Sequence, residues 1–287
     1  MRPLEIRRLA LPGDLAGAEF SALEIVGSER PFVLLHGLTG HRDDFRPVLP
    51  ALAEGNAIHW LAPDIRGHGD FTKTGVEKTF CFQQLVDDLR CWTDALGIER
   101  FDLLGHSFGG MIALRFVLAH PERVASLVLM DTAPLSPDGY DRALFEKVGA
   151  IAQARGMSFL QERVEEAGRA NATPSPSDLQ TRKWADQYWP HHRLRLTAMD
   201  PVGYGALGIQ MVEQEPVLSR LGEIACPTTV LVGDEDTEFL HGADLLEAGI
   251  PGVVRVTLPD AGHHPHMENQ AAWLAAMREH VDRSGPR

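Results

Sequence analysis

The sequence has 287 residues, 44% of them hydrophobic and 23% charged, which is enough apolar material for one sizeable core with a smaller appended layer. The formal net charge of −13 argues against a nucleic-acid partner, because phosphate binding requires a basic face and none is apparent. No run of about 18 apolar residues occurs, so we expect no insertion into a membrane.

The N-terminus and the cysteines indicate the compartment. Residues 1–8 carry positive charge, but no apolar stretch or small-residue cleavage site follows them, so we expect no secretory signal. The three cysteines, Cys81, Cys91 and Cys226, are odd in number, scattered and without CxxC spacing. We therefore expect a reducing, cytoplasmic setting in which all three act as small hydrophobic side chains.

Short apolar runs alternate with helical stretches through the first half of the chain. Strands are predicted at residues 32–35, 57–62, 101–104 and 124–130, with helices at about 79–97 and 108–120. Strands that are almost continuously apolar and separated by helices are typical of a parallel sheet buried on both faces.

The pattern changes after residue 134. Residues 135–220 contain no convincing strand, and their helical stretches at 142–154 and 159–170 are followed by a break at 171–176. The alternation then resumes, with strands at 228–232 and 253–258 and a closing helix at 270–281. We predict an α/β fold with a mostly parallel central sheet flanked by helices. The core domain spans 1–134 and 221–287, and a helical cap, or lid, at 135–220 is inserted between two strands.

The segment Gly105–Gly109 matches the pattern G-x-S-x-G. The pattern alone is weak, but here it follows an apolar strand and precedes a helical run, which is the context it requires. Glycines allow strand and helix to approach, and the helix N-terminus brings the Phe108 N–H beside the serine, where it favours developing negative charge. Ser107 is thus predicted to be a nucleophile. The competing interpretation is a helix N-cap serine in a glycine-rich turn.

Five segments in order carry a resemblance to the α/β-hydrolase fold family, in particular to its serine esterases and lactonases. They are His36–Gly37, Asp64–Gly69, Gly105–Gly109, Gly233–Asp236 and Ala261–His263. The resemblance covers nearly the whole chain. It implies a catalytic triad in the chain order serine, carboxylate, histidine.

The resemblance implies that His263 is the base that activates Ser107, because the family's histidine occupies this Gly-His position. His264 and His266 are the competing histidines. A zinc site built from His263, His264 and His266 is a further alternative, but no H-E-x-x-H spacing accompanies it.

The family order also selects the carboxylate that orients the histidine. Asp236 fits best, Asp234 is the alternative in the same loop, and Asp131 is the alternative placement at the end of the preceding strand. The oxyanion hole is assigned to the backbone N–H groups of Leu38 and Phe108.

Three further segments have competing interpretations. We expect His36 to be structural, tying its loop to Arg66 or to a backbone carbonyl. Residues 66–69 are interpreted as scaffold rather than as an anion site. The aromatic and histidine side chains of the insertion fit equally a pocket lining and lid packing: Trp184, Tyr188, Trp189, His191 and His192.

The leading functional hypothesis is hydrolysis of a small-molecule carboxylic ester or lactone through an acyl-enzyme, without a cofactor. The alternatives are a carbon–carbon bond hydrolase of the meta-cleavage type and a hydrolase-like binding or sensor protein with little turnover. Epoxide and haloalkane chemistry on this fold would use an aspartate where this chain has Ser107. No metal, nucleotide or flavin motif is visible.

Overall fold

The computed structural model describes residues 2–10, 19–137 and 139–285. Outside the described residues lie residue 1 of the N-terminal stretch, residues 11–18 and 286–287 of the predicted core, and residue 138 of the predicted cap. Every helix within the described ranges is too short or too polar to span a bilayer.

The strands and the helices are each numbered in chain order. The strands are β1 (Glu5–Ala10), β2 (Glu19–Ile25), β3 (Glu29–Leu35), β4 (Ile58–Pro63), β5 (Phe101–His106), β6 (Val124–Met130), β7 (Thr228–Gly233) and β8 (Val254–Leu258). The helices are α1 (Leu49–Leu52), α2 (Phe82–Ala95), α3 (Phe108–Ala119), α4 (Arg142–Arg155), α5 (Met157–Ala170), α6 (Pro176–Lys183), α7 (Ala185–Thr197), α8 (Pro201–Val212), α9 (Leu240–Gly249), α10 (Pro265–Glu268) and α11 (Gln270–Arg283).

The strands form a single sheet in the order β1-β2-β4-β3-β5-β6-β7-β8. The pairs β1–β2 and β2–β4 are antiparallel, and all pairs from β4–β3 to β7–β8 are parallel. This confirms the predicted α/β fold with a mostly parallel sheet flanked by helices. The carboxyl ends of β3, β5, β6, β7 and β8 share one edge, which is where ligand sites of such sheets form.

The strands β1 and β2 were not among the predicted strands. Most of β1 is exposed at the edge of the sheet, and its sequence, Glu5-Ile6-Arg7-Arg8-Leu9-Ala10, shows no alternation of buried and exposed residues. An edge strand with charged side chains protects the sheet from pairing with another chain, but it lacks the apolar signature used to predict strands.

Side chains alternate between two hydrophobic cores, one on each face of the sheet. In β3, Val33 belongs to the core that includes α2, α3 and α9, whereas Leu34 belongs to the core that includes α1 and α11. The near-continuous apolar strands predicted from the sequence are therefore buried on both faces.

Between β6 and β7 the described chain contains helices α4 to α8 and no strand. These helices have clear starts: Asp141 caps α4, the capping box of Ser175 and Asp178 begins α6 just before Pro176, and Asp200 caps α8. A small hydrophobic cluster of their own lies among them: Ala152, Met157, Leu160, Leu196, Met199 and Tyr204.

Candidate active site

Ser107 lies in the sharp turn between β5 and α3. Its backbone has φ 54° and ψ −120°, a conformation that non-glycine residues rarely adopt. Its N–H donates to the Met130 carbonyl at 2.8 Å, and its own carbonyl accepts a bond from the Thr132 hydroxyl at 2.7 Å. The neighbouring strand β6 and the residues after it thus hold the strained turn from both sides.

The glycines of the motif are required by close contacts. A Cβ at position 105 would lie 2.4 Å from the Gly109 carbonyl oxygen, and a Cβ at position 109 would lie 2.4 Å from the His36 carbonyl oxygen. Because real Cβ atoms do not approach backbone this closely, β5, α3 and the loop after β3 can pack together only with glycine at both positions.

His263 and Asp236 form a hydrogen-bonded pair at the ends of β8 and β7. The His263 Nδ1 lies 2.8 Å from the Asp236 Oδ2, and the Asp236 side chain is almost fully buried while that of His263 is 26% exposed. With Asp236 ionised, Nδ1 carries the proton and Nε2 is left as a base. Burial alone would lower the pKa of His263, but the charge of Asp236 and its hydrogen bond outweigh burial and raise it.

The loop that carries His263 is fixed by its own neighbours. The His106 Nε2 donates to the His263 carbonyl at 2.7 Å, and the Asp234 carboxylate accepts a bond from the Ala261 N–H at 3.2 Å. Burial lowers the pKa of His106, so this imidazole is a neutral brace. Asp234, the alternative in the β7 loop, therefore holds backbone near His263 and leaves the imidazole to Asp236.

Asp131, the other alternative acid, lies behind the pair. It is 1% exposed, has φ 45°, and accepts a hydrogen bond from the Gly233 N–H at 2.9 Å through Oδ1. Burial and the nearby Asp236 raise the pKa of Asp131 well above its usual range, which favours the protonated form. The structure places Asp236, rather than Asp131 or Asp234, against His263.

The loop after β3 lies beside Ser107. Gly37 and Leu38 line the same cavity as Ser107, and a Cβ at position 37 would lie 3.2 Å from the Ser107 Cβ. The Gly37 carbonyl accepts a bond from the His36 Nδ1 at 2.9 Å, and the Leu38 carbonyl lies 2.5 Å from the His68 Nε2. Phe108 is the first residue of α3, so its N–H has no partner within that helix. Both predicted oxyanion donors thus belong to backbone adjoining Ser107.

Of the two predicted partners of His36, the structure shows the backbone carbonyl. The His36 Nε2 accepts a bond from the Ile65 N–H at 3.0 Å, and the side chain makes the expected bond to a backbone carbonyl, that of Gly37. The other alternative, Arg66, is engaged elsewhere, since its guanidinium forms two bonds of 2.6 Å to the buried Asp88. Because the charge of Arg66 is paired with Asp88, residues 66–69 fit the scaffold interpretation better than an anion site.

The cavity beside Ser107 has a volume of about 230 Å³. The core contributes the loop 37–40, Asp44, His106, Ser107, Phe239, His263 and His264, and the insertion side contributes Tyr140, Phe145, Tyr188, Arg195, Tyr204 and Met211. Of the insertion side chains weighed from the sequence, only Tyr188 is in this lining. A larger cleft of about 560 Å³ between α4 and α8 contains none of the predicted site residues.

The other histidines near Ser107, His264 and His266, have lowered pKa values. His264 lines the cavity, whereas His266 packs against Phe45 with ring centroids 5.4 Å apart. Burial lowers the pKa of His264 well below its usual value and that of His266 to about 4. In the described ranges, no group of three or more histidine, cysteine, aspartate or glutamate side chains is arranged to hold a metal ion.

Two charged residues of the cavity, Arg195 and Asp44, were missed by the sequence analysis. Arg195 is only 4% exposed and lies on the buried face of α7, in helical register with Trp189, His192 and Leu196. A charged residue at a core-facing position of a helix is the sequence signal that could have identified Arg195, because such residues are rarely buried without a partner or a role.

Comparison with known proteins shows the family. A model of the alpha/beta hydrolase fold matches residues 30–270, most of the chain. A soluble epoxide hydrolase of Corynebacterium is 36% identical over 110 residues, which cover 38% of this chain and 36% of that protein. A 2-hydroxy-6-oxo-2,4-heptadienoate hydrolase of Pseudomonas putida is 35% identical over 144 residues, covering 48% of this chain and 49% of that protein. The matched segments thus span half or less of these curated relatives.

Among solved structures, a thermophilic esterase from Thermogutta terrifontis superposes with a TM-score of 0.79 at 23% identity, covering 98% of this chain and 100% of that one. At this identity the likeness shows the fold alone. Because the family model matches residues 30–270, the chain belongs to the α/β-hydrolase fold family.

Proposed function

We propose that this protein is a serine hydrolase that cleaves a small-molecule carboxylic ester or lactone through an acyl-enzyme, with Ser107, His263 and Asp236 as catalytic triad. The observation that carries the proposal is the convergence of two features on one cavity. Ser107 stands in a strained turn at the end of β5, and His263, hydrogen-bonded to Asp236 behind it, lines the same cavity.

In this mechanism the Ser107 Oγ attacks the substrate carbonyl carbon while the His263 Nε2 takes the hydroxyl proton. The carbonyl oxygen becomes an oxyanion, which the N–H groups of Leu38 and Phe108 stabilise. The C–O bond then breaks, the leaving alkoxide takes the proton from His263, and Ser107 remains acylated. Water, deprotonated by His263, hydrolyses the acyl-enzyme and restores the serine.

Asp236 has two tasks in this scheme. Its bond to Nδ1 keeps the proton on that nitrogen, so that Nε2 is the free base, and its charge stabilises the imidazolium that forms during attack. The raised pKa of His263 agrees with this second task, since the charged form of the imidazole is the one that Asp236 favours.

A carbon–carbon bond hydrolase is the second candidate. The observation that favours it is the 35% identity to the heptadienoate hydrolase over 144 residues. The likeness to an epoxide hydrolase carries less weight for the chemistry, because this chain presents a serine rather than an aspartate at the turn. The cavity of about 230 Å³ favours a small substrate in every case.

The test is steady-state turnover of a panel by the wild type and by Ser107→Ala. The panel contains p-nitrophenyl acetate, butyrate and octanoate, dihydrocoumarin as a lactone, and a 2-hydroxy-6-oxo-dienoate. We expect turnover of at least one ester or lactone and a loss of about 10⁴-fold or more in Ser107→Ala.

Three other results of this experiment would change the proposal. Turnover of the dienoate alone would replace ester hydrolysis by carbon–carbon cleavage. Tight binding without turnover would favour a sensor role. A Ser107→Ala variant with full activity would show that Ser107 is not the nucleophile.

A further inference from the structure

The cavity contains a buried cation that the proposed triad does not use. Arg195, on α7, is 4% exposed and lines the cavity together with Ser107 and His263. Its charge acts across the cavity: after burial, it is the largest contribution that lowers the pKa of His264.

Arg195 is incompletely paired among the described residues. The distance from its Nη1 to the Asp44 Oδ1 is 3.8 Å, which is longer than a hydrogen bond. Its buried Nε has no hydrogen-bond partner in the described part of the chain. The guanidinium lies over the ring of Tyr188, 5.4 Å from the ring centroid. A guanidinium has five donors, and a buried one is normally satisfied.

Asp44 does not complete this pairing because its oxygens are bound elsewhere. Its Oδ1 is 2.6 Å from the His191 Nε2, and its Oδ2 accepts a bond from the His41 N–H at 3.2 Å. Asp44 faces Nη1 of the guanidinium, so the fork formed by Nε and Nη2 is not taken by it. That fork has the geometry that binds the two oxygens of a carboxylate.

We propose that Arg195 binds a carboxylate on the substrate, so that the protein acts on a small ester or lactone that also carries a free acid group. This inference rests on the proposed function, since it takes the cavity beside Ser107 as the substrate site. The carboxylate lies at the insertion side of the cavity and the reacting carbonyl at the sheet side. The two contacts together fix the substrate's direction relative to Ser107. The small volume, about 230 Å³, limits the spacer between the two groups to a short chain.

The first test compares two esters of similar size, mono-p-nitrophenyl glutarate and p-nitrophenyl pentanoate. We expect the wild type to have the higher kcat/KM for the charged ester. In Arg195→Gln the loss of kcat/KM should be about 100-fold for the charged ester and at least tenfold smaller for the neutral one. Arg193→Gln is the matched control, because Arg193 is exposed on the same helix and pairs with Glu165. It should behave as wild type on both esters.

The second test does not depend on turnover. Binding of glutarate and of its neutral diamide to Ser107→Ala, with and without Arg195→Gln, is measured by calorimetry. We expect glutarate to bind only when Arg195 is present and the diamide to bind weakly in both. Arg195→Lys should recover part of the affinity, since it keeps the charge without the fork. Thermal unfolding of each variant shows whether it is folded.

The outcomes separate the two proposals. Equal losses on both esters in folded Arg195→Gln, or glutarate binding that ignores Arg195, would overturn the assignment of Arg195. Binding that depends on Arg195 in a protein without ester or lactone turnover would uphold the carboxylate site and overturn the ester chemistry.

Discussion

The two walls of the cavity differ in how they are built. On the sheet side, each candidate residue follows a strand and is held through its own backbone. The Met130 carbonyl and the Thr132 hydroxyl bond to Ser107, and the His106 imidazole bonds to the His263 carbonyl. On the insertion side, residues such as Arg195 and Tyr188 project from helices that pack on a small cluster of their own. The proposed chemistry therefore depends on the sheet-side wall and the proposed selectivity on the helical one.

A direct hydrogen bond joins the insertion to the loop of the proposed base. The His263 N–H donates to the Ser177 hydroxyl of α6 at 3.0 Å, and a Cβ at Gly262 would lie 2.7 Å from that same oxygen. The insertion therefore touches the backbone of the proposed base directly, so the two walls are held in a fixed relation at this point.

The largest effect is expected from the base on the sheet side. His263→Gln should reduce kcat by about 10⁴-fold or more, because Ser107 loses the group that accepts its proton. The matched control is His264→Gln, one residue further on, which should lose less than about tenfold because His264 only lines the cavity. Equal losses in the two variants, measured as steady-state kcat on the best ester, would remove the distinction between these histidines.

The next effect separates the two buried carboxyl groups. Asp236→Asn should reduce kcat by about 10⁴-fold, because the amide does not hold the proton on Nδ1 of His263. Asp131→Asn should stay within about tenfold of wild type, since an amide oxygen still accepts the Gly233 N–H and replaces a carboxyl that is favoured in its neutral form. Steady-state rates decide the matter, and a greater loss in Asp131→Asn would assign the triad acid to Asp131.

On the insertion side the expected effect is on stability. Leu196→Ala removes a side chain that is 1% exposed in the insertion's own cluster and should cost about 2–5 kcal/mol of unfolding free energy. The control Leu194→Ala, at a 46% exposed position of the same helix, should change it by about 0.5 kcal/mol or less. Urea unfolding measures both. Similar costs would mean that this cluster does not stabilise the insertion.

The smallest effect is the position of the acid limb in the pH profile. His263 must be neutral to act as base, and its pKa is raised above 6.5 by Asp236 against the opposing effect of burial. The value of kcat/KM should therefore fall on acidification, with its midpoint at a pH above 6.5. In Asp236→Asn the limb of the residual activity should move to lower pH. A limb that stays in place would assign it to another group.

The sequence predicts the sheet side of the site better than the insertion side, for physical reasons. The strands β3, β5 and β6 are apolar on both faces, and the turn at Ser107 requires glycines at 105 and 109, so both leave marks that can be recognised. The family order placed Asp236 and His263 on neighbouring loops, and the structure puts them in contact. By contrast, the exposed edge strand β1 was missed because its charged side chains do not alternate with apolar ones.

The insertion leaves weaker marks. Its helices α4 and α5 were predicted within a few residues of their bounds. By contrast, α6 is short and polar, α7 contains Pro190, and α8 contains three glycines, which weaken a helical signal. Which of their side chains enters the cavity depends on how the helices pack, and the spacing of residues along the sequence does not predict that packing. Tyr188 and Arg195 line the cavity, but Trp189 packs within the insertion.

The most direct measurement of the central proposal is covalent trapping of the nucleophile with diethyl p-nitrophenyl phosphate. The serine oxygen displaces p-nitrophenolate from phosphorus, so an activated serine becomes a stable diethyl phosphate ester. We expect one adduct per wild-type chain, located on Ser107 by peptide mass spectrometry. Labelling should be slower in His263→Gln and absent at this position in Ser107→Ala. An adduct on another residue, or a wild type that loses ester turnover without labelling Ser107, would contradict the proposal.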